Sequence, residues 1–339
     1  MGVIPEAAAT ALDRSTWQEL AHRHEQRAER VLAGVRDRRR RGIKHPVEDF
    51  LFHYYNLRPG DLSAWHPGAG VWLEDAAEYA ERRHYVEVGG LVGVDVDAFL
   101  AQRRSTVETA DTLLRAIQGR PAAFGCFGMH EWAMVYRRRA DETRHAYLPL
   151  RFEPAEVAAV VESVGLRCTH FDAFRFFTPE AKPLNTTQLT REGQVEVDQP
   201  GCLHVSMDCY RWASKLMPAV SSDLVWACFE LALEVRELDM RASAYDLRDW
   251  GYEPVKVETP AGRAEYVAAQ RLFTRRAEPL RHRLLDATGH LLSHASGRRI
   301  LTGAGRCGGI WSAGSRCRRW RRTNRRRPAR RVRPAACPR

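Results

Sequence analysis

Apolar side chains recur every three or four residues along most of the chain, which is the spacing of a helix that buries one face. Boundary residues agree with this pattern, because Asp95 precedes one such segment as an N-cap and Gly165 ends another. The pattern predicts helices over residues 16–33, 46–55, 73–82, 96–118, 129–137, 156–164, 203–216 and 263–285, and one more that is capped by Ser222 or Asp223.

Patterns typical of strands are shorter and fewer. Residues 166–177 alternate or run apolar, residues 86–94 form a stretch interrupted by glycine, and 255–258 is a short candidate strand. Residues 178–200 have the composition of a loop. The sequence contains no internal repeat and no obvious linker. We therefore expect a mainly α fold with a few short strands (α+β), built as a single compact helical domain.

The C-terminal segment differs from the rest of the chain in charge. Residues 298–339 contain fifteen arginines and no acidic residue, whereas residues 1–297 carry 38 basic and 42 acidic side chains. The formal charge of +11 therefore comes from the tail, and the body is slightly acidic. We expect a flexible segment over 1–15, one mainly helical domain over 16–290, and a disordered basic tail over 298–339. A reading-frame shift in GC-rich coding DNA would yield the same residue mixture in the tail.

Cysteine usage and the N-terminus indicate the compartment. Cys-x-x-Cys pairs do not occur, and the body has an odd number of cysteines among apolar neighbours, which favours reduced thiols. The N-terminus lacks the apolar core of a signal peptide, and no segment is long and apolar enough to span a membrane. The sequence predicts a cytoplasmic protein that does not interact with membranes.

The segment 44–68 is unusually rich in reactive side chains. Pro46 is suited to the first turn of a helix, with His45 at the cap, and Glu48 complements the positive helix start. The helix would form the wall of a substrate site. Its predicted substrate-binding side chains are His45, Asp49, His53, Tyr54 and Tyr55.

Three other segments place polar groups where they can converge. In a strand over 166–177, His170 and Asp172 would point to the same side. The helix over 203–216 carries one polar stripe, which includes His204 and Asp208. The helix after Ser222 begins apolar all round except for Glu230, and a buried carboxylate must find a partner or stay protonated.

These groups support two kinds of chemistry. Several imidazoles and carboxylates suit a non-haem iron or manganese ion, which would make the protein a metal-dependent oxygenase or hydrolase acting on a small molecule. The candidate ligands are His170, Asp172, His204, Asp208 and Glu230, although no Glu-x-x-His or His-Glu-x-x-His motif occurs. Alternatively, a carboxylate assists cleavage while aromatic rings hold a planar base, as a DNA glycosylase requires. A non-catalytic ligand-binding protein is a further alternative.

Five stretches resemble a family of actinobacterial proteins labelled 3-methyladenine DNA glycosylase, and the resemblance covers residues 15–290. They are 45–55, 128–137, 168–178, 200–215 and 239–246. The resemblance implies a DNA glycosylase that removes alkylated purines such as 3-methyladenine from damaged DNA in base-excision repair, without a cofactor or metal.

On that interpretation, Glu131, Asp172 or Glu230 supplies the catalytic carboxylate, and His130 and His170 orient it or the base. Besides the wall at 45–55, further side chains are expected to bind the substrate. They are Trp132, His204, Asp208, Asp239, Arg241 and Tyr245.

Overall fold

The computed structural model describes residues 10–55 and 57–303, with side chains as far as 294. The described residues up to Arg299 form one compact unit, and a second unit begins at Ile300. The prediction of a disordered tail lies outside the described residues from 304 onward, whereas the backbone of 298–303 is helical. In the N-terminal segment that was predicted to be flexible, Thr10–Leu12 instead form strand β1 because they pair with a neighbouring strand.

The prediction of a mainly α fold with a few short strands is confirmed, with 59% helix and 7% strand. The described residues contain twelve α-helices, which are α1 Arg14–Arg41, α2 Phe50–Tyr54, α3 Pro59–Ser63, α4 Ala77–Ala80, α5 Val96–Gln118, α6 Met129–Val135, α7 Pro154–Val164, α8 Phe171–Phe174, α9 Gln194–Val197, α10 Leu203–Lys215, α11 Ser222–Arg241 and α12 Pro260–Gly303.

One small sheet packs beside these helices. Its strands are β1 together with β2 Val71–Glu74, β3 Tyr85–Val88 and β4 Leu91–Val94, in the order β1-β2-β4-β3. Strands β1 and β2 run parallel, and the other pairs are antiparallel. A Cβ at Gly93 would lie 2.8 Å from the ring of Trp72 on the neighbouring strand. Glycine is therefore needed there for the indole to pack flat on the sheet.

Two sequence predictions around this sheet are wrong in detail. The segment 73–82 is not one helix, since β2 ends at Glu74 and only Ala77–Ala80 are helical. Backbone pairing of Leu73 with Val92 overrides the helical pattern there. The stretch 86–94 is a hairpin rather than one strand, because Gly89 and Gly90 both adopt positive φ, as the tight turn between paired strands requires.

Helices α1, α5, α7 and α10 confirm the periodicity predictions and show how their ends are fixed. The side chain of Asp95 accepts a hydrogen bond from the backbone of Ala98, as expected of an N-cap. Helix α1 is longer than predicted: it runs through the arginine-rich segment 36–41 and ends where Gly42 takes the left-handed conformation. Helix α11 is capped by Ser221, one residue before the predicted cap.

The strand predicted over 166–177 is not formed. Leu166 makes an isolated bridge to Asn185, and residues Phe171–Phe174 are helical. The side chain of Asn185 binds the backbone N–H and C=O of Cys168, so the groups that a neighbouring strand would use are already occupied. The predicted strand over 255–258 is also absent from the described residues, because Val255 instead donates to the carbonyl of Arg241.

The thiols of the body are free, as predicted: Cys168, Cys202, Cys209 and Cys228 are buried and Cys126 is partly exposed. Within residues 10–303, no helix has both the length and the apolar character needed to cross a membrane.

Candidate functional site

A narrow cleft lies where α2, α6, α8, α10 and α11 meet, and its interior space of about 20 Å³ is enough for about one water molecule. Its walls combine aromatic rings with charged side chains. The lining residues are Phe50, Tyr54, Glu131, Met134, Arg144, His145, Asp172, Ala173, Phe176, His204, Arg236 and Tyr245.

Three helices position the polar groups that line the bottom of the cleft, Glu131, His204 and Arg236, and the adjacent His130 and Asp239. Helix α6 carries His130 and Glu131 side by side, and its N-cap Gly128 has a φ of +72°. Helix α11 places Arg236 and Asp239 one turn apart, so that both project from the same face. Helix α10 brings His204 between them. The predicted site residues Glu131, His130, His204 and Asp239 therefore come together in space.

His130, His204 and Asp239 form a buried cluster whose nearest ligand atoms all lie within 4.8 Å of one another. Nε2 of His130 and Oδ1 of Asp239 are 2.7 Å apart. The two side chains form a buried ion pair, although these two atoms do not have the alignment of a well-directed hydrogen bond.

The other polar atoms of His130 and Asp239 contact neighbouring side chains. The Nδ1 atom of His130 lies 3.8 Å from the Sγ atom of Cys126. Arg236 donates to Oδ2 of Asp239 at 3.0 Å and to Oε1 of Glu131 at 2.8 Å. Such outer contacts leave one atom of each side chain facing inward, which is how proteins orient metal ligands.

Burial and neighbouring charges set the protonation of the cluster. Burial by itself disfavours charge, but His130 and Arg236 hold the pKa of Asp239 well below its usual range. In the same way, Asp239 outweighs burial and raises the pKa of His130. Burial and the adjacent His130 lower the pKa of His204 well below its usual value, so this imidazole is neutral. A neutral imidazole beside a carboxylate can act as a ligand.

A second set of polar side chains, which includes His170 and Asp198, lies next to the cluster of His130, His204 and Asp239. The ring of His170 is stacked on His204, with centroids 5.2 Å apart. Its Nδ1 atom lies 3.0 Å from Asp198, and that carboxylate outweighs burial and raises the pKa of His170. The hydroxyl of Tyr55 donates to Asp208 at 3.5 Å. His170 therefore packs against the cluster, and His170, Tyr55 and Asp208 are not among the residues that line the cleft.

Asp172 lines the cleft as an ion-paired carboxylate. It contacts Arg175 and Arg191 at 3.1 Å and Arg211 at 2.8 Å. Burial would raise the pKa of Asp172, but Arg211 and the other cations lower it. Asp172 is therefore ionised and positioned to hold arginines. It reaches the site from helix α8, not from the predicted strand.

The prediction that Glu230 is buried is wrong. This side chain is exposed and accepts a hydrogen bond from the indole N–H of Trp226 at 2.6 Å. Asp223 and Glu234 are exposed on the same side of α11, so these three carboxylates lie on its solvent face, whereas Asp239 is buried. Glu230 does not line the cleft.

Trp132 belongs to the hydrophobic core and not to a substrate clamp. Its side chain is 0% exposed, and its indole N–H donates to the carbonyl of Ala242 at 2.9 Å. The neighbouring Tyr245 does reach the cleft. Both side chains were predicted to bind the substrate, and only Tyr245 lines the cleft.

Of the five side chains predicted to bind substrate in 45–55, only Tyr54 lines the cleft, together with Phe50 of the same segment, which was not predicted to do so. Residues 46–49 form a turn instead of the first part of the helix, because Nδ1 of His45 accepts the backbone N–H groups of Val47 and Glu48. The ring of His45 packs edge-on against Trp250, with centroids 5.0 Å apart.

Three more residues predicted to bind substrate lie away from the cleft. Asp49 is paired with Arg38 at 2.8 Å, and His53 is exposed. Arg241 is paired with Glu237 at 3.3 Å. Asp49 and Arg241 therefore form ion pairs away from the cleft, and His53 faces solvent.

Sequence reasoning missed Arg236, Arg144 and Asp198 as site residues. Arg236 gave one usable signal, since it is a cation on a helix that is otherwise buried and a buried cation needs carboxylates nearby. Asp198 and Arg144 lie in segments without periodicity. No pattern in the sequence predicts that Asp198 and Arg144 lie at the site.

No family model, curated protein or solved structure matches this chain. The site is therefore interpreted from its own geometry.

Proposed function

We propose that the protein is a metal-dependent enzyme that acts on a small molecule, as an oxygenase or a hydrolase. The observation that carries this proposal is the buried cluster of His130, Asp239 and the neutral His204, whose ligand atoms all lie within 4.8 Å of one another. The facing atoms of His130 and Asp239 make no well-directed hydrogen bond, and a cation bound by all three ligand atoms would satisfy both.

The donor set matches a particular class of ion. Two imidazoles and one carboxylate suit a divalent transition metal such as iron or manganese and leave other coordination positions open. Because His204 also lines the cleft, those open positions would face the substrate. The bound ion would supply Lewis-acid or redox chemistry.

The surrounding side chains have separate tasks. Glu131 lines the cleft and is fixed by Arg236, so its free oxygen can accept a proton from a substrate or a water. Aromatic rings limit the access of water.

The metal ligands of this proposal differ from those predicted from the sequence, since His130 and Asp239 replace His170, Asp172, Asp208 and Glu230.

Metal content tests the proposal. Full-length protein purified from medium supplemented with iron, manganese and zinc is expected to hold stoichiometric metal, measured by elemental mass spectrometry. His204→Ala and Asp239→Asn should lose it, because each removes one of three ligands. The matched controls His53→Ala and Glu230→Gln alter exposed residues of the same types and should retain it.

A thermal measurement covers the case in which a ligand variant folds poorly. An ion that binds only the folded chain stabilises it by about 2.7 kcal/mol at a hundredfold excess over Kd. Wild-type protein should show that gain when manganese is added after chelation. Protein that is purified without metal and gains no stability from iron, manganese or zinc would exclude the proposal.

Removal of alkylated purines from DNA is a second candidate. The resemblance to proteins labelled 3-methyladenine DNA glycosylase supports it, and so does one observation: Phe50, Tyr54, Phe176 and Tyr245 line the cleft beside the carboxylate of Glu131. Flat rings beside a carboxylate are what a flipped base requires.

Base release separates the two candidates. A glycosylase should release 3-methyladenine from alkylated DNA in the presence of a chelator, and Glu131→Gln should abolish the release. The control variant is Glu230→Gln, which alters an exposed carboxylate outside the cleft. Absence of release by the chelated wild-type protein, together with stoichiometric metal in the untreated protein, would exclude the glycosylase.

A further inference from the structure

One arginine of helix α12 is buried without a counter-ion. Arg281 is 4% exposed, and its Nη1 atom is buried without a hydrogen-bond partner. It forms no ion pair with any side chain in 10–55 or 57–294. Arginine is seldom buried in proteins unless it is paired, because burial removes the hydration of the charge. Arg281 therefore places a positive charge inside the protein that the described side chains do not compensate.

The thiol of Cys209 on helix α10 interacts with Arg281 but does not supply the missing negative charge. Burial raises the pKa of Cys209 to about 11, and Arg281 opposes that shift only in part. The thiol is therefore neutral at physiological pH. A neutral thiol is only a weak hydrogen-bond acceptor, so the guanidinium still lacks a strong partner.

Arg281 lines a pocket that is large enough for a counter-ion. The interior space of this pocket is about 220 Å³, whereas that of the cleft at His204 is about 20 Å³. The pocket lies between the end of α5, Pro200 and helix α12, and it shares no lining residue with the cleft. Drug-sized ligands occupy pockets of about 300–1,000 Å³, so this space suits a smaller ligand of a few heavy atoms.

The charged side chains around this pocket favour an anion. Arg120 also lines it, and its guanidinium donates to the backbone carbonyl of Asp198 at 2.8 Å, which holds the group without neutralising its charge. Glu278 lines the pocket as an exposed carboxylate and is not paired with Arg281. With His282 counted as neutral, two cations face one carboxylate. Water screens the exposed Glu278 more strongly than the buried Arg281, which leaves a net attraction for an anion.

We propose that this pocket binds a small oxyanion, a phosphate or a carboxylate, and that Arg281 holds it. A guanidinium presents parallel N–H groups that match the oxygens of either anion. The bound anion would link α12 to the segment that follows α5 and so stabilise the folded chain. This site is separate from the proposed metal-dependent function, because the pocket and the cleft have different walls.

Calorimetric titration of the full chain tests the proposal with phosphate and acetate as probes. Chloride at equal ionic strength is the reference, because it carries the charge without a pair of acceptor oxygens. Phosphate or acetate should bind at least about tenfold more tightly than chloride, since hydrogen bonds to charged groups contribute about that factor. The tighter of the two probes identifies the anionic group. Binding of both probes no tighter than that of chloride would overturn the proposal.

The first pair of variants removes one arginine each from helix α12. Arg281→Met deletes the buried charge, whereas the control Arg275→Met alters an exposed arginine that does not line the pocket. Arg281→Met should weaken binding of the preferred anion at least about tenfold, and Arg275→Met should change it by less than about twofold. The arginine-rich segment 298–339 is the same in both variants, so its own binding of anions cancels in the comparison. Equal affinities of the two variants would contradict a site at Arg281.

A second pair of variants leaves Arg281 in place and decides the case in which Arg281→Met folds poorly. Glu278→Gln removes the carboxylate that repels an anion in the pocket, so it should tighten binding about two- to fivefold. The control Glu265→Gln alters an exposed carboxylate of α12 that does not line the pocket, and it should leave the affinity unchanged. If Glu278→Gln binds the anion no more tightly than Glu265→Gln, the anion does not occupy this pocket and the proposal is wrong.

Discussion

Replacing Arg236 with glutamine is expected to lower the free energy of unfolding by about 3–5 kcal/mol, the cost of breaking a buried ion pair from one side. Arg236 is 1% exposed and is paired with both Glu131 and Asp239. Without the guanidinium, two buried carboxylates share only His130 as a neighbouring cation. Urea unfolding of the chelated protein measures the effect as a lower midpoint at an unchanged slope.

A surface pair provides the matched control. Arg276→Gln breaks an ion pair with Glu234 in which both side chains are about half exposed, so it should cost less than about 1 kcal/mol. The double variant Arg236→Gln, Glu131→Gln should recover part of the loss, because it removes one of the stranded charges. If Arg236→Gln is as stable as Arg276→Gln, the carboxylates are already neutral in the folded protein and the site description is wrong.

Acid is expected to destabilise the protein through buried neutral histidines, and His66 is one that lies outside the cleft. Burial, together with Arg82 and His24, lowers the pKa of His66 from 6.5 to about 4. Between these values the unfolded chain binds a proton that the folded chain does not. The contribution of His66 to the free energy of unfolding is therefore fully present above pH 6.5. It is lost as the pH falls from 6.5 to 4, and the total loss is about 3 kcal/mol at most.

The comparison of wild type with His66→Gln isolates this effect. The ring of His66 lies 2.9 Å from the hydroxyl of Tyr85, and glutamine keeps a polar group there without the titration. Between pH 7 and pH 5 the wild type should lose about 2 kcal/mol more than the variant. His22→Gln, at an exposed position on α1, should follow the wild type. Parallel pH profiles for the wild type and His66→Gln would contradict a depressed pKa.

Local signals in the sequence determined the long helices. Apolar periodicity and a single side-chain cap define α5, and the same periodicity defines α10 with its polar stripe. These features depend on residues within one or two turns of each other, so they are visible without the fold. The pairing of 86–94 into a hairpin required a partner strand, and the helical pattern over 73–82 failed because β2 gains its hydrogen bonds from a distant segment.

The composition of the site could be predicted only in part. His130, Glu131, His204 and Asp239 lie on helices that the sequence located correctly, and their polarity on buried elements singled them out. Glu230 was misjudged because an all-round apolar segment does not reveal which side of a helix meets solvent. Trp132 was misjudged because an aromatic side chain beside a polar cluster can face either the core or the cleft.

By itself, the sequence determined a mainly helical chain with an acidic body, a basic C-terminal segment and several buried imidazoles and carboxylates. Only the tertiary structure decided which of these groups meet. The floor of the cleft joins α6, α10 and α11, which lie up to about a hundred residues apart, with Arg236 binding Glu131 across 105 positions of sequence. Contacts of this kind depend on the packing of whole helices, and no local pattern encodes them.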